Sequence, residues 1–259
     1  MACSIEAVIF DWAGTTVDYG CFAPVNAFAI AFGKFAVEVT DEEIRKPMGM
    51  LKIDHIRTML SMERIAKLWQ DKYGRTPDEN DVNAIYDVFE ESLLESLEQY
   101  AEAKPYVMDT VAELRSMGIK IGSTTGYTDK MMDIVTAEAE KQGYKPDVWV
   151  SPDSVGGSGR PYPYMIFENL KRLGVSSVKN VVKVGDTISD IRESVNAGVI
   201  SVGVVDGSSE LGMRREEFEA LGSCEKEAAR ERVRESFKNA GADYVIDDLS
   251  KLTELPCFR

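Results

Sequence analysis

Six short apolar runs, none of them alternating with polar residues, recur along the chain and limit its architecture more than any other feature: residues 7–10, 119–122, 148–150, 180–184, 200–205 and 244–246. A strand with one wet face would alternate, so such runs read as strands buried on both faces. Between them lie amphipathic helical stretches at 107–117, 128–141, 161–173 and 189–197, stopped by Gly118, Gly143, Gly174 and Gly198. Proline near a start and glycine just past an end mark such boundaries. Strand and helix in alternation imply an α/β fold with a doubly wound, Rossmann-like parallel sheet.

Residues 21–100 break this rhythm. The stretch reads as helical throughout, with candidate elements at 41–45, 51–60, 63–73 and 78–100. Inserted between the first and second strands, it would sit over the carboxyl edge of the sheet, where α/β folds bind ligands. The expected division is a catalytic core of residues 1–20 and 101–259 and an all-helical cap domain of residues 21–100. The tail from 208 to 240 is charged and reads as helical, with no chemistry assigned to it.

A formal net charge of −14 over 259 residues leaves no basic field to attract nucleic acid or a membrane surface. An anionic small-molecule substrate would have to be held by local positive groups. The four cysteines, Cys3, Cys21, Cys224 and Cys257, are scattered without a C-x-x-C pair. The first residues lack the pattern of a signal peptide, and no apolar run approaches the ~18 residues of a membrane span. A cytoplasmic protein is the expectation. With His55 as the single histidine, metal sites built on several histidines are excluded.

The ends of three strands carry the chemistry. Asp11 follows the first and is succeeded by Trp12, Ala13, Gly14, Thr15 and Thr16, a small-residue loop whose backbone could cradle phosphate oxygens. Thr124, Thr125 and Gly126 follow the second, offering hydroxyls and an amide; Gly185 and Asp186 end another, ahead of Thr187 and Asp190. Carboxylates converging on one sheet edge repel unless a hard cation joins them, and magnesium suits oxygen ligands. Arg160, ahead of a helix expected from Pro161, could neutralise a phosphoryl group.

These four motifs, Asp11, Thr125, Arg160 in place of the usual lysine, and GDTISD at 185–190, resemble the haloacid dehalogenase superfamily in order and spacing. The resemblance implies that Asp11 is the nucleophile, that Thr125 and Arg160 bind phosphoryl oxygens, and that Asp11, Asp186 and the Ala13 carbonyl bind Mg2+ with Asp190 behind them. One position departs from the superfamily's phosphatases, which carry a second aspartate where this chain has Ala13. That aspartate protonates an alkoxide leaving group. Without it, a carbon leaving group that needs an electron sink fits better. Lys52, in RKPMGMLKIDHIR, can supply the sink, since an amine condensed with an aldehyde gives an iminium that accepts an electron pair.

The segments DWAGTTVDYG, KPMGMLKIDHIR, GSTTGYT, GRPYP and KVGDT resemble the phosphonoacetaldehyde hydrolases of that superfamily across nearly the whole chain. This implies hydrolysis of the phosphorus–carbon bond of phosphonoacetaldehyde in 2-aminoethylphosphonate degradation, with Lys52 as the Schiff-base lysine. Met48, His55 and Tyr127 would line the site, Gly14, Thr15 and Gly126 would contact the phosphonate, and the chain would form a homodimer. At ~100° per residue, Lys52, His55 and Met59 fall within roughly 60° of one another on a helix. Two other lysines compete. Lys46 is near the same loop, and Lys183, of opposite strand parity to Asp186, should point away from the metal-bearing side. The alternatives are a capped phosphatase acting on a small ester, a metal-free dehalogenase and a non-catalytic phosphate binder.

Overall fold

The computed structural model describes residues 5–259; Cys3 lies outside them. The elements run β1 (Ala7–Phe10), α1 (Phe22–Lys34), α2 (Asp41–Arg45), α3 (Lys52–Ser61), α4 (Glu63–Tyr73), α5 (Glu79–Tyr100), α6 (Val107–Ser116), β2 (Lys120–Thr124) and α7 (Asp129–Lys141). They continue as β3 (Val148–Val150), α8 (Tyr164–Leu173), β4 (Val181–Gly185), α9 (Ile188–Ala197), β5 (Ile200–Val204), α10 (Arg215–Ala220), α11 (Ser223–Ala240) and β6 (Tyr244–Ile246). The six strands form one parallel sheet in the order β3-β2-β1-β4-β5-β6.

The chain winds outward from β1 to β3, then crosses to β4 and winds the other way. Crevices for ligands open where the winding reverses, at the carboxyl ends of β1 and β4. The six strands read from the sequence are all present; β1 and β4 are buried along their whole length, whereas the edge strands β3 and β6 are only partly buried, because each has a sheet neighbour on one side only. Val8, Ile9 and Phe10 are fully buried, and each contributes roughly 1.5–3 kcal/mol by leaving water.

Two expectations need correction. The helix placed at 161–173 starts at Tyr164, because Pro161 and Pro163 belong to the turn before it. Helix α1 is a separate element that the sequence reading did not delimit. Its buried residues include Phe22, Ala23, Pro24, Val25, Ala27, Phe28, Ala31 and Phe32, so apolar side chains occupy more than one stripe and the usual amphipathic period is blurred. Asp18 starts this helix, accepting the Phe22 and Ala23 amides at 2.9 Å each.

Helices α1 to α5 lie between β1 and β2 in sequence, and the two linkers that join them to the sheet pair with each other. Lys104 N–H donates to the Thr16 carbonyl at 2.9 Å and Asp18 N–H to the Glu102 carbonyl at 3.1 Å. The loop before α3 rests directly on the sheet's carboxyl edge: Ser189 Oγ donates to the Met48 carbonyl at 2.9 Å. Gly49 has φ +85°, and a Cβ there would overlap the Thr187 hydroxyl. Among the described residues, no helix is long and apolar enough to cross a membrane.

Gly49→Ala should therefore destabilise the protein by ~1–3 kcal/mol in denaturant titration and speed hydrogen exchange at residues 48–52. Gly33→Ala, on α1 with open space around it, should raise stability by up to ~1 kcal/mol. Similar effects from both substitutions would contradict the seating of this loop.

Candidate active site

Asp11 continues β1 by one residue, its N–H donating to the Val184 carbonyl at 2.9 Å. The chain then turns sharply. The amides of Thr15, Thr16 and Val17 donate to the Trp12 carbonyl, and that of Gly14 to the Val17 carbonyl. Thr16 Oγ1 donates to the Asp11 carbonyl at 3.0 Å and Trp12 Nε1 to Ser123 Oγ at 2.8 Å. Asp11 thus sits on a loop tied both to itself and to β2.

The same bonds change the part expected of Gly14 and Thr15. Their amides are engaged within the loop, and the Thr15 hydroxyl donates to Asp186 Oδ1 at 3.0 Å. Gly14 is required for another reason: its φ is +89°, and a Cβ there would overlap the Asp186 carboxylate. Only glycine lets that carboxylate lie against the loop.

Asp186, just past β4, is fully buried and accepts the Ser209 amide on Oδ2 at 2.8 Å. Ser209 belongs to the segment given no chemistry from sequence; its contact depends on the loop after β5 folding back over the site. Asp11, Asp186 and Asp190 each bring a carboxylate oxygen within 4.8 Å of the others. Burial, then the charges of Asp11 and Asp190, push Asp186 well above the usual carboxylate range.

Asp190 behaves differently. Burial opposes its charge, but Arg160 and Lys183 outweigh it and hold the carboxyl below its usual range. Asp190 Oδ1 accepts from Lys183 Nζ at 2.7 Å and lies 3.1 Å from Arg160 Nη2, while Oδ2 accepts from Thr187 Oγ1 at 2.6 Å. Both of its oxygens are occupied by protein donors, which leaves Asp11 and Asp186 as the pair whose repulsion a cation would relieve. An all-oxygen set of this kind fits a hard divalent cation such as magnesium.

Lys183 corrects the parity expectation. Strand alternation holds only within a strand, and Asp186 lies beyond the end of β4. Lys183 is fully buried beneath the carboxylates rather than turned away from them.

Arg160 gathers the strand ends. Its Nη2 donates to Asp11 Oδ1 at 2.7 Å and to Thr124 Oγ1 at 2.8 Å, and its Nε to Glu193 Oε2 at 2.9 Å. Burial works against this charge, yet Asp190, Asp11 and Glu193 outweigh it and raise the guanidinium's pKa further. Glu193 was not singled out from sequence. It lies three residues after Asp190, so it shares a helix face with that residue, and this spacing was the available signal. Lys104 was also missed. Its ammonium donates to the Gly14 carbonyl and, at 2.8 Å, to the Asp206 carbonyl.

From the helical side, Lys52 opens α3 and is 3% exposed. Its Nζ lies 5.2 Å from the Tyr127 ring centre and 6.0 Å from that of Phe28. Burial lowers its pKa below the ordinary lysine value, against the weaker opposing pull of Cys21 and Asp11. The competing Lys46 is 60% exposed and pairs with Glu42 at 3.1 Å on the surface. Lys52, Asp11, Ala13, Met48, Thr125 and Arg160 line one cavity of about 20 Å³, with Gly126 and Tyr127 beside them. That is room for little more than one water molecule.

His55 does not reach this cavity. It is fully buried behind Lys52, its Nε2–H donating to the Ile44 carbonyl at 2.8 Å and its ring stacked on Phe28 at 4.0 Å. Burial drives its pKa well below the usual value, so the imidazole is neutral. The helix spacing placed His55 beside Lys52 correctly, but lysine's longer side chain extends to the cavity while the ring ends in the packed interior.

A profile of the haloacid dehalogenase-like hydrolase family matches residues 5–198. The phosphonoacetaldehyde hydrolase of Lysinibacillus sphaericus (strain C3-41) is 54% identical over 248 residues, 96% of this chain and 92% of the relative. A bifunctional phosphonoacetaldehyde hydrolase/aminoethylphosphonate transaminase of Clostridioides difficile (strain 630) is 53% identical over 97% of this chain, which spans 39% of that longer protein. The crystal structure of a phosphonoacetaldehyde hydrolase like protein from Oleispira antarctica superposes with a TM-score of 0.95 at 39% identity, covering 98% of this chain and 91% of that one. The chain belongs to the haloacid dehalogenase-like hydrolases, in their phosphonoacetaldehyde hydrolase branch.

Proposed function

We propose that this hydrolase cleaves the phosphorus–carbon bond of phosphonoacetaldehyde to acetaldehyde and phosphate, in the breakdown of 2-aminoethylphosphonate, with Asp11 as nucleophile and Lys52 as the imine-forming amine. One juxtaposition supports this assignment most strongly. A buried lysine and Asp11 open into the same small cavity, while the position two residues after Asp11 is alanine.

The neutral Lys52 amine adds to the aldehyde, and the carbinolamine takes up a proton from solvent and loses water, leaving an iminium. Asp11 then attacks phosphorus. The phosphorus–carbon bond breaks, and its electron pair moves into the carbon–nitrogen system as an enamine, so no free carbanion forms. Protonation at carbon regenerates the iminium, and water releases acetaldehyde from Lys52 and phosphate from the aspartyl-phosphate. Arg160 and the Thr125 hydroxyl hold the phosphoryl oxygens in line with Asp11. Asp11, Asp186 and the Ala13 carbonyl would hold Mg2+, which when bound supplies positive charge against the repulsion between the Asp11 carboxylate and the phosphonate.

Neutral Lys52 is the form the reaction needs, and its burial favours that form. His55 contributes from behind as an uncharged neighbour, stacked on Phe28 and fixing the face of α3 that carries Lys52. A capped phosphatase acting on an alkoxide leaving group would need an acid where Ala13 stands.

Lys52→Arg should reduce acetaldehyde release by roughly 10³-fold or more, because a guanidinium stays protonated and forms no imine. Its melting temperature should stay close to that of the parent, and retained turnover would overturn the assignment. The pH dependence follows from the sign of the Lys52 shift. A depressed pKa places the free amine at lower pH, so the rising limb of kcat/KM should have its midpoint below the ~10.4 of an ordinary lysine. A limb centred at that ordinary value would contradict the buried-amine account.

A further inference from the structure

Arg160 is gripped along one edge. Its Nε donates to Glu193 Oε2 at 2.9 Å, its Nη2 donates to Thr124 Oγ1 at 2.8 Å, and Thr124 Oγ1 donates back to Glu193 Oε2 at 3.1 Å, closing a small ring. Glu193 is fully buried on α9, and its second oxygen, Oε1, has no protein partner. A buried ion pair alone is weak grounds for retaining a glutamate, because apolar residues of similar volume often serve stability as well.

The geometry around Asp11 suggests a more specific part. Nη2 of Arg160 now covers Asp11 Oδ1 at 2.7 Å. For Oδ1 to be the oxygen that attacks phosphorus, the guanidinium gives up this bond and takes a phosphoryl oxygen in exchange. Nη2 also donates to Thr124 Oγ1 at 2.8 Å and lies 3.1 Å from Asp190 Oδ1, contacts that shift as it turns, whereas the Nε bond to Glu193 Oε2 can stay in place. A side chain anchored through Nε need only turn about that bond, because a guanidinium carries donors on separate nitrogens, which a single ammonium cannot do.

We propose that Glu193 is a positioning residue for Arg160: it holds Nε as a pivot while Nη2 passes from Asp11 to the phosphoryl group. This rests on the reading that Arg160 meets the phosphoryl group, and phosphate affinity tests it without turnover. Inorganic phosphate binding to the full chain in magnesium would be measured by titration calorimetry for the parent, Glu193→Gln, Arg160→Lys and the double variant. Glu193→Gln keeps the shape and one acceptor but removes the charge. It should weaken phosphate about tenfold in the parent, and less than about twofold once Arg160 is lysine.

Equal losses in the two backgrounds, or none in the parent, would overturn the proposal, as would parent-like phosphate affinity in Arg160→Lys. Glu193→Asp retains the charge but retracts it by one methylene. The same non-additivity is expected, and this variant carries the cycle if the glutamine variant does not fold. Acetaldehyde release by the parent is assayed separately. Non-additive phosphate binding in a protein that releases none would remove the substrate reading and leave the role of Glu193 standing.

Discussion

The arrangement of the whole molecule follows from keeping one lysine amine out of water directly above a group of buried carboxylates. Lys52 sits against two aromatic rings at the boundary between the helical insertion and the sheet, and burial favours its uncharged form. Such a placement needs a rigid ceiling. The stack of His55 on Phe28 and of Phe28 on Phe89 locks α3 to α1 and α5. The loop carrying Met48 and Gly49 then presses that assembly onto Thr187 and Ser189 at the start of α9. The cavity left between the two holds about one water.

Below the amine, charge balance decides what each polar residue can do. Asp11, Asp186, Asp190 and Glu193 are buried within reach of Arg160, Lys183 and Lys104. Asp190 and Glu193 are held by Arg160 and Lys183, so these two carboxylates act as supports. Asp186 is held by a hydroxyl and an amide and has no ion pair of its own, with Lys104 the cation that acts on it from further off. That distinction separates a carboxylate suited to a cation from one suited to orienting an arginine, although both are aspartates near the end of one strand.

Much of this was legible in the sequence, and the omissions share a cause. Parallel strands buried on both faces write themselves as unbroken apolar runs, so the sheet and the positions of Asp11, Thr125 and Asp186 at strand ends could be read directly. The spacing of Lys52 and His55 placed them on one helix face. Helix α1 escaped because its buried residues extend beyond a single stripe. Ser209, Glu193 and Lys104 escaped because each meets its partner across the fold: Ser209 is twenty-three residues beyond Asp186, and Lys104 is ninety beyond Gly14. Lys183 was misplaced by extending strand parity past the strand's last residue, where the backbone no longer alternates.

The most direct test of the central claim is to trap the imine chemically. Incubation with phosphonoacetaldehyde and borohydride, followed by peptide mass spectrometry, should find a reduced two-carbon adduct on Lys52 and leave Lys46, Lys104 and Lys183 unmodified. An adduct on any of those three, or none at all under conditions in which acetaldehyde is released, would contradict the account.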